Sequence, residues 1–368
     1  MTSSSALARQ IAADPNNRDP YLVLADELLA SGDRHGELIV LQGQRRTAKV
    51  EQREAALVKE LAPRLFGDLA KIALRRVKKN QRGPLHVEWF MGFMRSVRLD
   101  CIHEDDDTRI ERMLPLLLRS PAARFLQHLS FGGIDSEDSN HDYGKAIELL
   151  DAAKPPSTLN SLFFGDFERG EWEAKWNLIG GFDRLSKRFP KLERLRIHSC
   201  GNGLAAPIEL DDLALPRLRE LEIVTDYTNG PALLAHVAKL KSLEKLAIDF
   251  GVNTHEEPTL ADLKPFLAGK PPLLSLSLRW IDFGPAFVEA LVTSKLAARI
   301  EHLGLRSAHL HDASVDVLLA AKPKLPALAS IDVGLNYLTK AAQKRLKALC
   351  AHVELDTQWD PKEDWLDD

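Results

Sequence analysis

Residues 218–223 read LRELEI, and the same pattern returns as LEKLAI at 243–248, LLSLSL at 273–278 and IEHLGL at 300–305. Apolar residues occupy the first, fourth and sixth positions of every copy. Successive side chains of a β-strand point to opposite faces, so the fourth and sixth residues face the same side of a sheet. Each copy therefore predicts a short strand with one buried face.

Ten copies of this pattern form a ladder along most of the chain. Their first positions are 32, 33, 33, 26, 25, 30, 27, 28 and 22 residues apart, which is the spacing of leucine-rich repeats. The tenth copy is degenerate. The ten first positions are Met94, Leu126, Leu159, Leu192, Leu218, Leu243, Leu273, Ile300, Leu328 and Cys350.

Helical periodicity follows several of these strands. Segments 230–242, 260–270, 284–298 and 312–324 carry apolar residues at helical spacing. Parallel strands joined by helices stack into a solenoid, in which each repeat buries its apolar face against its neighbours. We therefore predict an α/β leucine-rich-repeat solenoid of about ten repeats over residues 83–356. Its strands would form a parallel sheet on the concave face, with the helices outside.

The end repeats of a solenoid expose an apolar face and need covers. Residues 1–82 have helical periodicity throughout, including a long run over 36–79. We expect them to form an all-helical cap that packs on the first repeat. The acidic tail, residues 357–368, carries Trp359 and Trp365, which can fold over the last repeat.

The copy at residues 329–349, ASIDVGLNYLTKAAQKRLKAL, resembles the ribonuclease-inhibitor type of leucine-rich repeat. The resemblance implies that the side chain of Asn336 satisfies backbone groups of the loop that follows the strand. Other copies, such as LEIVTDYT and LSLRWIDF, have no Asn at the matching place.

Residues 14–42, DPNNRDPYLVLADELLASGDRHGELIVLQ, resemble the bacterial repeat-companion domain, a short helical module found ahead of repeat arrays. The aromatic residue usual near the end of its A-D-x-L stretch is missing. The matching residues are Asp14, Pro15, Pro20, Val23, Ala25, Asp26, Leu28, Gly32, Asp33, Gly36, Glu37, Leu38, Leu41 and Gln42.

Residues 162–356 resemble a second, poorly characterised bacterial leucine-rich-repeat family. Both resemblances imply a bacterial repeat scaffold, and neither implies an enzymatic activity. The residues that carry the second one are Gly165, Asp166, Glu171, Glu173, Trp176, Phe189, Pro190, Leu192, Glu193, Leu195, Arg196, Ile197, Asn202, Gly203 and Leu204.

Charge is distributed unevenly along the chain. Residues 1–82 hold 15 Lys and Arg against 10 Asp and Glu, whereas the whole chain has a formal net charge of −4. The basic excess gathers in residues 75–82, so a nucleic-acid-binding regulator that uses this segment is one alternative function. Basic residues also suit the C-terminal end of a helix, and no aromatic residue is interleaved among these. We therefore do not expect a nucleic-acid partner.

The remaining composition points to a reducing compartment. No apolar run approaches the length of a membrane-spanning helix, and the first residues lack the pattern of a secretory signal. The three cysteines, Cys101, Cys200 and Cys350, lie too far apart in sequence for a zinc knuckle or a disulfide framework. We expect a cytoplasmic protein that does not bind membranes.

Catalytic signatures are missing from the sequence. It contains no nucleotide-binding, serine-hydrolase or zinc-protease motif. We therefore expect a non-catalytic protein with no cofactor and no metal site. An enzyme or a small-ligand-binding accessory protein is the other alternative, with a pocket at residues 165–198. The titratable residues there are Asp166, Glu171, Glu173, Arg194, Arg196 and His198.

Residues between the ladder positions point to the predicted concave face, and six of them are basic while seven are acidic. A phosphate-binding groove needs one sign of charge, so this mixture favours a protein or peptide partner. The 165–181 insertion lies in a long repeat, where functional insertions occur. Its Trp172 and Trp176 are four residues apart, the spacing of residues that pack together on a helix face, and this spacing favours packing in the core for both. The predicted partner-binding residues are Phe163, Asp166, Trp176, Arg194, Arg196, His198, Glu220 and Glu222.

Overall fold

Two compact units, Met1–Trp172 and Glu173–Asp368, make up the computed structural model of the chain. The division falls inside the 165–181 insertion, and the predicted domain boundaries near residues 82 and 356 stay predictions. The structure describes residues 3–75, 83–101, 105–134, 141–167, 177–199, 208, 210, 213–225, 228–251 and 256–359.

Short helices open the first unit. The predicted helical character is confirmed, but the single run over residues 36–79 is wrong. Gln44 is extended, with ψ of 165°, and Thr47 begins a new helix by accepting a hydrogen bond from the Val50 amide. Gly67 ends another helix, at φ of 58°, a value that L residues rarely adopt. Residues 76–82 lie outside the described part. The helices are α1 Ser3–Ala13, α2 Asp19–Ala30, α3 His35–Gly43, α4 Ala48–Glu60, α5 Ala62–Phe66 and α6 Ala70–Ala73.

A β-hairpin follows these helices. Strand β1, Leu85–Phe90, pairs antiparallel with β2, Phe93–Leu99, so the prediction of a parallel sheet is wrong for the first strand. Only Met91 and Gly92 connect the two strands, both at positive φ, and such a turn returns the chain antiparallel. A parallel connection would need a crossover of a dozen or more residues.

The hairpin and the first helices share one core. Tyr21 is fully buried among Phe90, Phe93 and Phe125, with ring centroids 5.6 to 5.8 Å from its own. The Gly92 carbonyl lies 2.7 Å from Nε2 of His35 on α3. Through these contacts, the first helices pack against the hairpin. The cluster contains Ala8, Ile11, Tyr21, Ala25, Ile39, Met91, Phe93 and Phe125.

The rest of the first unit follows the predicted strand and helix alternation. Strand β2 pairs in parallel with β3, His128–Phe131, which pairs in parallel with β4, Ser161–Phe164. Helices α7, Ile110–Arg119, and α8, Tyr143–Ala153, lie between these strands in the chain and contact each other.

Seven parallel strands form the sheet of the second unit. Their ladder residues are in register, and Leu195 pairs with Leu221, which pairs with Leu246. The strands are β5 Arg194–His198, β6 Glu220–Val224, β7 Lys245–Asp249, β8 Ser275–Arg279, β9 His302–Arg306, β10 Ser330–Asp332 and β11 His352–Glu354. The helices are α9 Phe182–Arg188, α10 Gly230–Val237, α11 Lys264–Leu267, α12 Gly284–Leu291, α13 Asp312–Ala320 and α14 Lys340–Leu346.

These helices are shorter than predicted. Segment 284–298 is helical only over Gly284–Leu291, and segment 312–324 only over Asp312–Ala320 before a 3₁₀ turn at Lys322–Lys324. Because consecutive strands begin only 22 to 30 residues apart here, a repeat has room for about two helical turns between its loops.

The ladder forms the core of both units. Every ladder residue of the first nine copies is buried, in keeping with the predicted inward face. In the tenth copy Cys350, Val353 and Leu355 are only half-buried, since β11 has a neighbour on one side only among the described strands. The predicted α/β leucine-rich-repeat fold is confirmed.

Asn336 has the role that the ribonuclease-inhibitor resemblance implied. Its side chain is fully buried, and its Oδ1 accepts hydrogen bonds from the amides of Ala308 and Leu310 at 3.0 and 2.9 Å. Its Nδ2 donates to the carbonyls of Leu305 and Val333 at 2.7 and 3.0 Å. One amide side chain therefore satisfies backbone groups of two successive loops, as buried polar groups require.

Candidate functional site

The structure brings five of the eight predicted site residues together in the second unit. Arg194, Arg196 and His198 lie on β5, and Glu220 and Glu222 lie on the neighbouring β6. The register pairs Arg194 with Glu220 and Arg196 with Glu222. These side chains alternate with the buried ladder residues, so they lie on the face of the sheet opposite the buried core. We call these five residues the β5–β6 surface.

The other three predicted residues lie elsewhere. Phe163 is half-buried on β4 of the first unit, at the outward position that pairs with Ser130. Asp166 follows the same strand in the first unit. Trp176 lies outside the described residues, as do Trp172, Glu171 and Glu173.

A forked ion pair organises the β5–β6 surface. Nε and Nη2 of Arg196 donate to the two carboxylate oxygens of Glu222, at 2.9 and 2.8 Å. Nε2 of His198 lies 3.1 Å from Oε1 of the same carboxylate. The planar guanidinium matches both oxygens at once, which fixes the orientation of the pair. About half of the Arg196 side chain, 47%, remains exposed.

The Glu222 carboxylate is held in its charged form by this arrangement. Burial raises its pKa, but the hydrogen bonds and positive charges of His198 and Arg196 outweigh burial and hold the pKa of Glu222 at about 2. Glu222 is therefore ionised across the physiological range.

Charge alternation continues onto the next strand. Nζ of Lys245 on β7 donates to Oε1 of Glu220 at 2.7 Å. Strands β5, β6 and β7 therefore present basic, acidic and basic side chains in turn, at the register row of Arg194, Glu220 and Lys245. Opposite charges on neighbouring strands support the sheet by about 0.2–1 kcal/mol per pair.

Asp166 belongs to a different network, inside the first unit. Nε and Nη2 of Arg98 donate to its backbone carbonyl at 3.2 and 2.8 Å, and its carboxylate lies 3.5 Å from the same guanidinium. Nη1 of Arg98 donates to Asp100 at 2.8 Å, and Asp100 accepts from the Gly133 amide. The Arg98 side chain is only 8% exposed. This network ties β2 to the segment after β4.

The second unit contains an aromatic cluster that was not predicted from the sequence. The half-buried rings of Trp280, Tyr337 and Trp359 are in contact, with centroids 5.7 Å apart for the two tryptophans and 5.4 Å apart for Tyr337 and Trp359. His311 stacks on Tyr337 at 5.2 Å, and His309 lies 5.8 Å from the same ring. In the sequence, these three rings recur within four residues of the last ladder position in three of the last four copies, and this recurrence could have indicated the cluster.

Trp359 packs on the last repeats, in agreement with the sequence-based expectation. Its amide donates to the Asn336 carbonyl at 2.8 Å, and its ring contacts Tyr337. Trp365 lies outside the described residues. The aromatic cluster therefore covers the loops that follow β8, β9 and β10.

The described residues contain few features of a reactive centre. Among them, no group of three His, Cys, Asp or Glu side chains is placed to hold a metal ion. Cys101 and Cys350 are half-buried rather than core residues, and burial raises the pKa of the Cys350 thiol. Cys200 lies outside the described part. Within that part, no helix is both long enough and apolar enough to cross a bilayer.

Comparison with solved structures supports the fold. No protein-family model and no curated protein matches the sequence. The chain is similar to a Bacteroides fragilis protein solved by a structural genomics consortium, with a TM-score of 0.58 and 17% identity over 86% of each chain. At this identity, the likeness concerns the fold alone.

Two internalins of Listeria monocytogenes also match. Internalin C2 is 17% identical over 60% of this chain and 76% of its own, with a TM-score of 0.33. Internalin F is 13% identical over 72% and 68%, with a TM-score of 0.38. The ladder, the parallel register and the buried Asn336 indicate the fold independently of these likenesses. On these grounds the chain has a leucine-rich-repeat fold.

Proposed function

We propose that the chain is a non-catalytic interaction scaffold and that the β5–β6 surface binds a protein or peptide partner. The observation that carries the proposal is the oriented, half-exposed ion pair of Arg196 and Glu222. Interfaces favour arginine, because its planar group donates to several acceptors and loses little freedom when it is already oriented.

The pattern of charge favours this class of partner. Basic side chains of β5 and β7 flank the acidic side chains of β6, with Lys245 bonded to Glu220. A nucleic-acid backbone would meet repulsion at every glutamate, since phosphates carry one sign of charge. A folded protein or a peptide with patterned charge can match both signs, and such matching sets specificity and register.

The remaining predicted residues extend the proposal to the first unit. Phe163 holds an outward strand position, and aromatic side chains are enriched at interfaces. Asp166 already forms an ion pair with Arg98. It would therefore contact the partner through the exposed part of its side chain rather than through a new ion pair. Trp176 stays a predicted partner-binding residue.

Affinity capture from the native host, followed by reconstitution with the purified partner, tests the proposal. We expect the double variant Arg194→Ala/Arg196→Ala to weaken binding of that partner at least tenfold, which corresponds to about 1.4 kcal/mol. The control is Arg345→Ala, which removes an exposed arginine paired with Asp316 between two helices. Unchanged affinity in the double variant, with circular dichroism like that of the wild type, would exclude the β5–β6 surface as the binding site.

A further inference from the structure

The exposed apolar side chains of the described part are concentrated on two helices. Five large ones are exposed, and four of them lie on α2 and α3: Leu22 (41%), Val23 (49%), Leu29 (45%) and Val40 (36%). Single exposed apolar residues are normal on protein surfaces, whereas a group on one helix pair marks a contact surface. Within the residues that the structure describes, this group stays exposed.

Three of these residues, Leu22, Leu29 and Val40, lie on the two helices that pack against each other, α2 and α3. A Cβ atom at Gly36 of α3 would lie 2.8 Å from Cγ of Leu29, and one at Gly43 would lie 3.9 Å from Cδ2 of Leu22. Val40 stands between the two glycines on α3, at helical spacing from both. A Cβ atom at Gly36 would also lie 2.6 Å from the Ala25 carbonyl oxygen, so the lack of a side chain at Gly36 lets the two helices approach.

Two charged residues flank Leu22 along α2. Arg18, the N-cap residue, has helical backbone angles and stands four residues before Leu22, and Asp26 stands four residues after it. Residues four apart along a helix are surface neighbours. Both are exposed, and neither forms an ion pair in the part of the chain that the structure describes. The Arg18 guanidinium lies 5.9 Å from the centroid of the Phe90 ring.

We propose that two copies of the chain associate through α2, packed antiparallel about a two-fold axis at Leu22. In this arrangement Leu22 meets Leu22 of the second copy. Residues equally far before and after Leu22 then face each other, so Arg18 of each copy pairs with Asp26 of the other. A two-fold contact requires a surface that is complementary to itself. This surface is, because it carries a positive and a negative charge equally far from the axis. Leu29 and Val40 extend the apolar contact on either side.

The contact is small and the dimer is accordingly weak. An interface built on one helix and part of a second falls in the class below about 1,200 Å², which is typical of transient association. The two charge pairs set the direction and register of the helices, because like charges would meet in a parallel arrangement. The interface uses residues that are separate from the β5–β6 surface.

Sedimentation velocity of the full chain across the micromolar range tests the association. We expect the average mass to rise with concentration for the wild type. Leu22→Glu places two like charges at the axis and should raise the dimer dissociation constant by at least about tenfold. A wild type that stays monomeric at every concentration would overturn the proposal, as would a Leu22→Glu variant that dimerises normally.

A charge-reversal cycle tests the antiparallel register. Arg18→Glu and Asp26→Arg alone each create two like-charge contacts and should each weaken dimerisation about tenfold, whereas the double variant restores the pairs with reversed sign. Lys340→Glu, an exposed charge reversal on α14, is the control and should change nothing. A double variant that dimerises as weakly as the two single variants would overturn the proposal.

Discussion

Arg98 in the first unit and Arg196 in the second occupy the same place in the ladder, one residue before the last buried position of their copies. The Arg98 side chain is 8% exposed and the Arg196 side chain 47% exposed. Arg98 bonds to two acidic residues and a carbonyl, and Arg196 bonds to one glutamate. The same position of the repeat therefore holds a buried arginine that links structural elements in the first unit and an accessible arginine in the second.

The neighbouring residues explain the difference. Arg98 pairs in register with Ser130, and a Cβ atom at Gly132 would lie 2.4 Å from Nη2 of Arg98. These small neighbours leave room for the guanidinium to be buried beside the sheet. Arg196 pairs in register with Glu222, whose longer side chain meets the guanidinium at the surface. The role of a strand-face arginine therefore depends on the size of the residue beside it.

The largest effect is expected from Arg98→Ala. This change removes the Arg98 cation from the half-buried Asp100 and two hydrogen bonds from the Asp166 carbonyl. Breaking a buried pair by removing one partner is strongly destabilising, so the free energy of unfolding should fall by about 3 kcal/mol. Urea denaturation followed by circular dichroism measures it. If the free energy of unfolding falls no more than it does when an exposed ion pair is removed, Arg98 and Arg196 do not differ in their contribution to stability.

A smaller effect is expected at Glu222, and it depends on pH. The pKa of Glu222 is about 2 in the folded chain, against 4.5 ordinarily, so its ionised form stabilises the fold above about pH 4.5 and the stabilisation is lost as the pH falls toward 2. After solvent screening, we expect Glu222→Gln to lower the free energy of unfolding by about 1 kcal/mol at neutral pH.

Denaturation curves of the two proteins at several pH values measure this difference. The gap between wild type and Glu222→Gln should narrow on acidification. A gap that is the same at every pH would contradict the assigned charge state. Glu220→Gln is a matched control, since the Glu220 carboxylate bonds to a lysine on a neighbouring strand rather than to Arg196 and His198.

The smallest effect is expected for Arg196→Ala on stability. Its pair with Glu222 is exposed, and such pairs contribute about 0.5 kcal/mol or less. Thermal unfolding should therefore barely change, even though the proposed partner binding is weakened by the loss of the arginines. A destabilisation as large as that of Arg98→Ala would show that the β5–β6 surface holds the sheet together and would remove the reason to treat it as a binding surface.

The fold was predictable because its main signal is periodic and local. The ladder pattern predicted correctly which side chains are buried. The resemblance of one copy to the ribonuclease-inhibitor type of repeat predicted correctly that Asn336 forms hydrogen bonds with backbone groups of a loop. The prediction failed at the first strand. Apolar alternation is the same in parallel and antiparallel strands, and direction depends on the connection, here the two residues Met91 and Gly92.

The candidate site was predictable only in part, for a related reason. Strand register brought Arg196 and Glu222 together as alternation and repeat length imply. The engagement of Asp166 by Arg98 joins residues 68 positions apart and depends on the space left by Gly132. The aromatic cluster depends on how three loops fold after their strands. Pattern positions do not encode such contacts, because they arise from side-chain size and loop conformation.

The half-buried tenth copy has a consequence for aggregation. Strand β11 is three residues long, its His352 and Glu354 are exposed, and it lies at the edge of the second unit's sheet. A long, apolar edge strand is a template on which further chains pair without limit, and short edges with charged or polar side chains discourage that growth. Because the ladder weakens over its last copy, the sheet ends in a strand that is a poor seed for fibres.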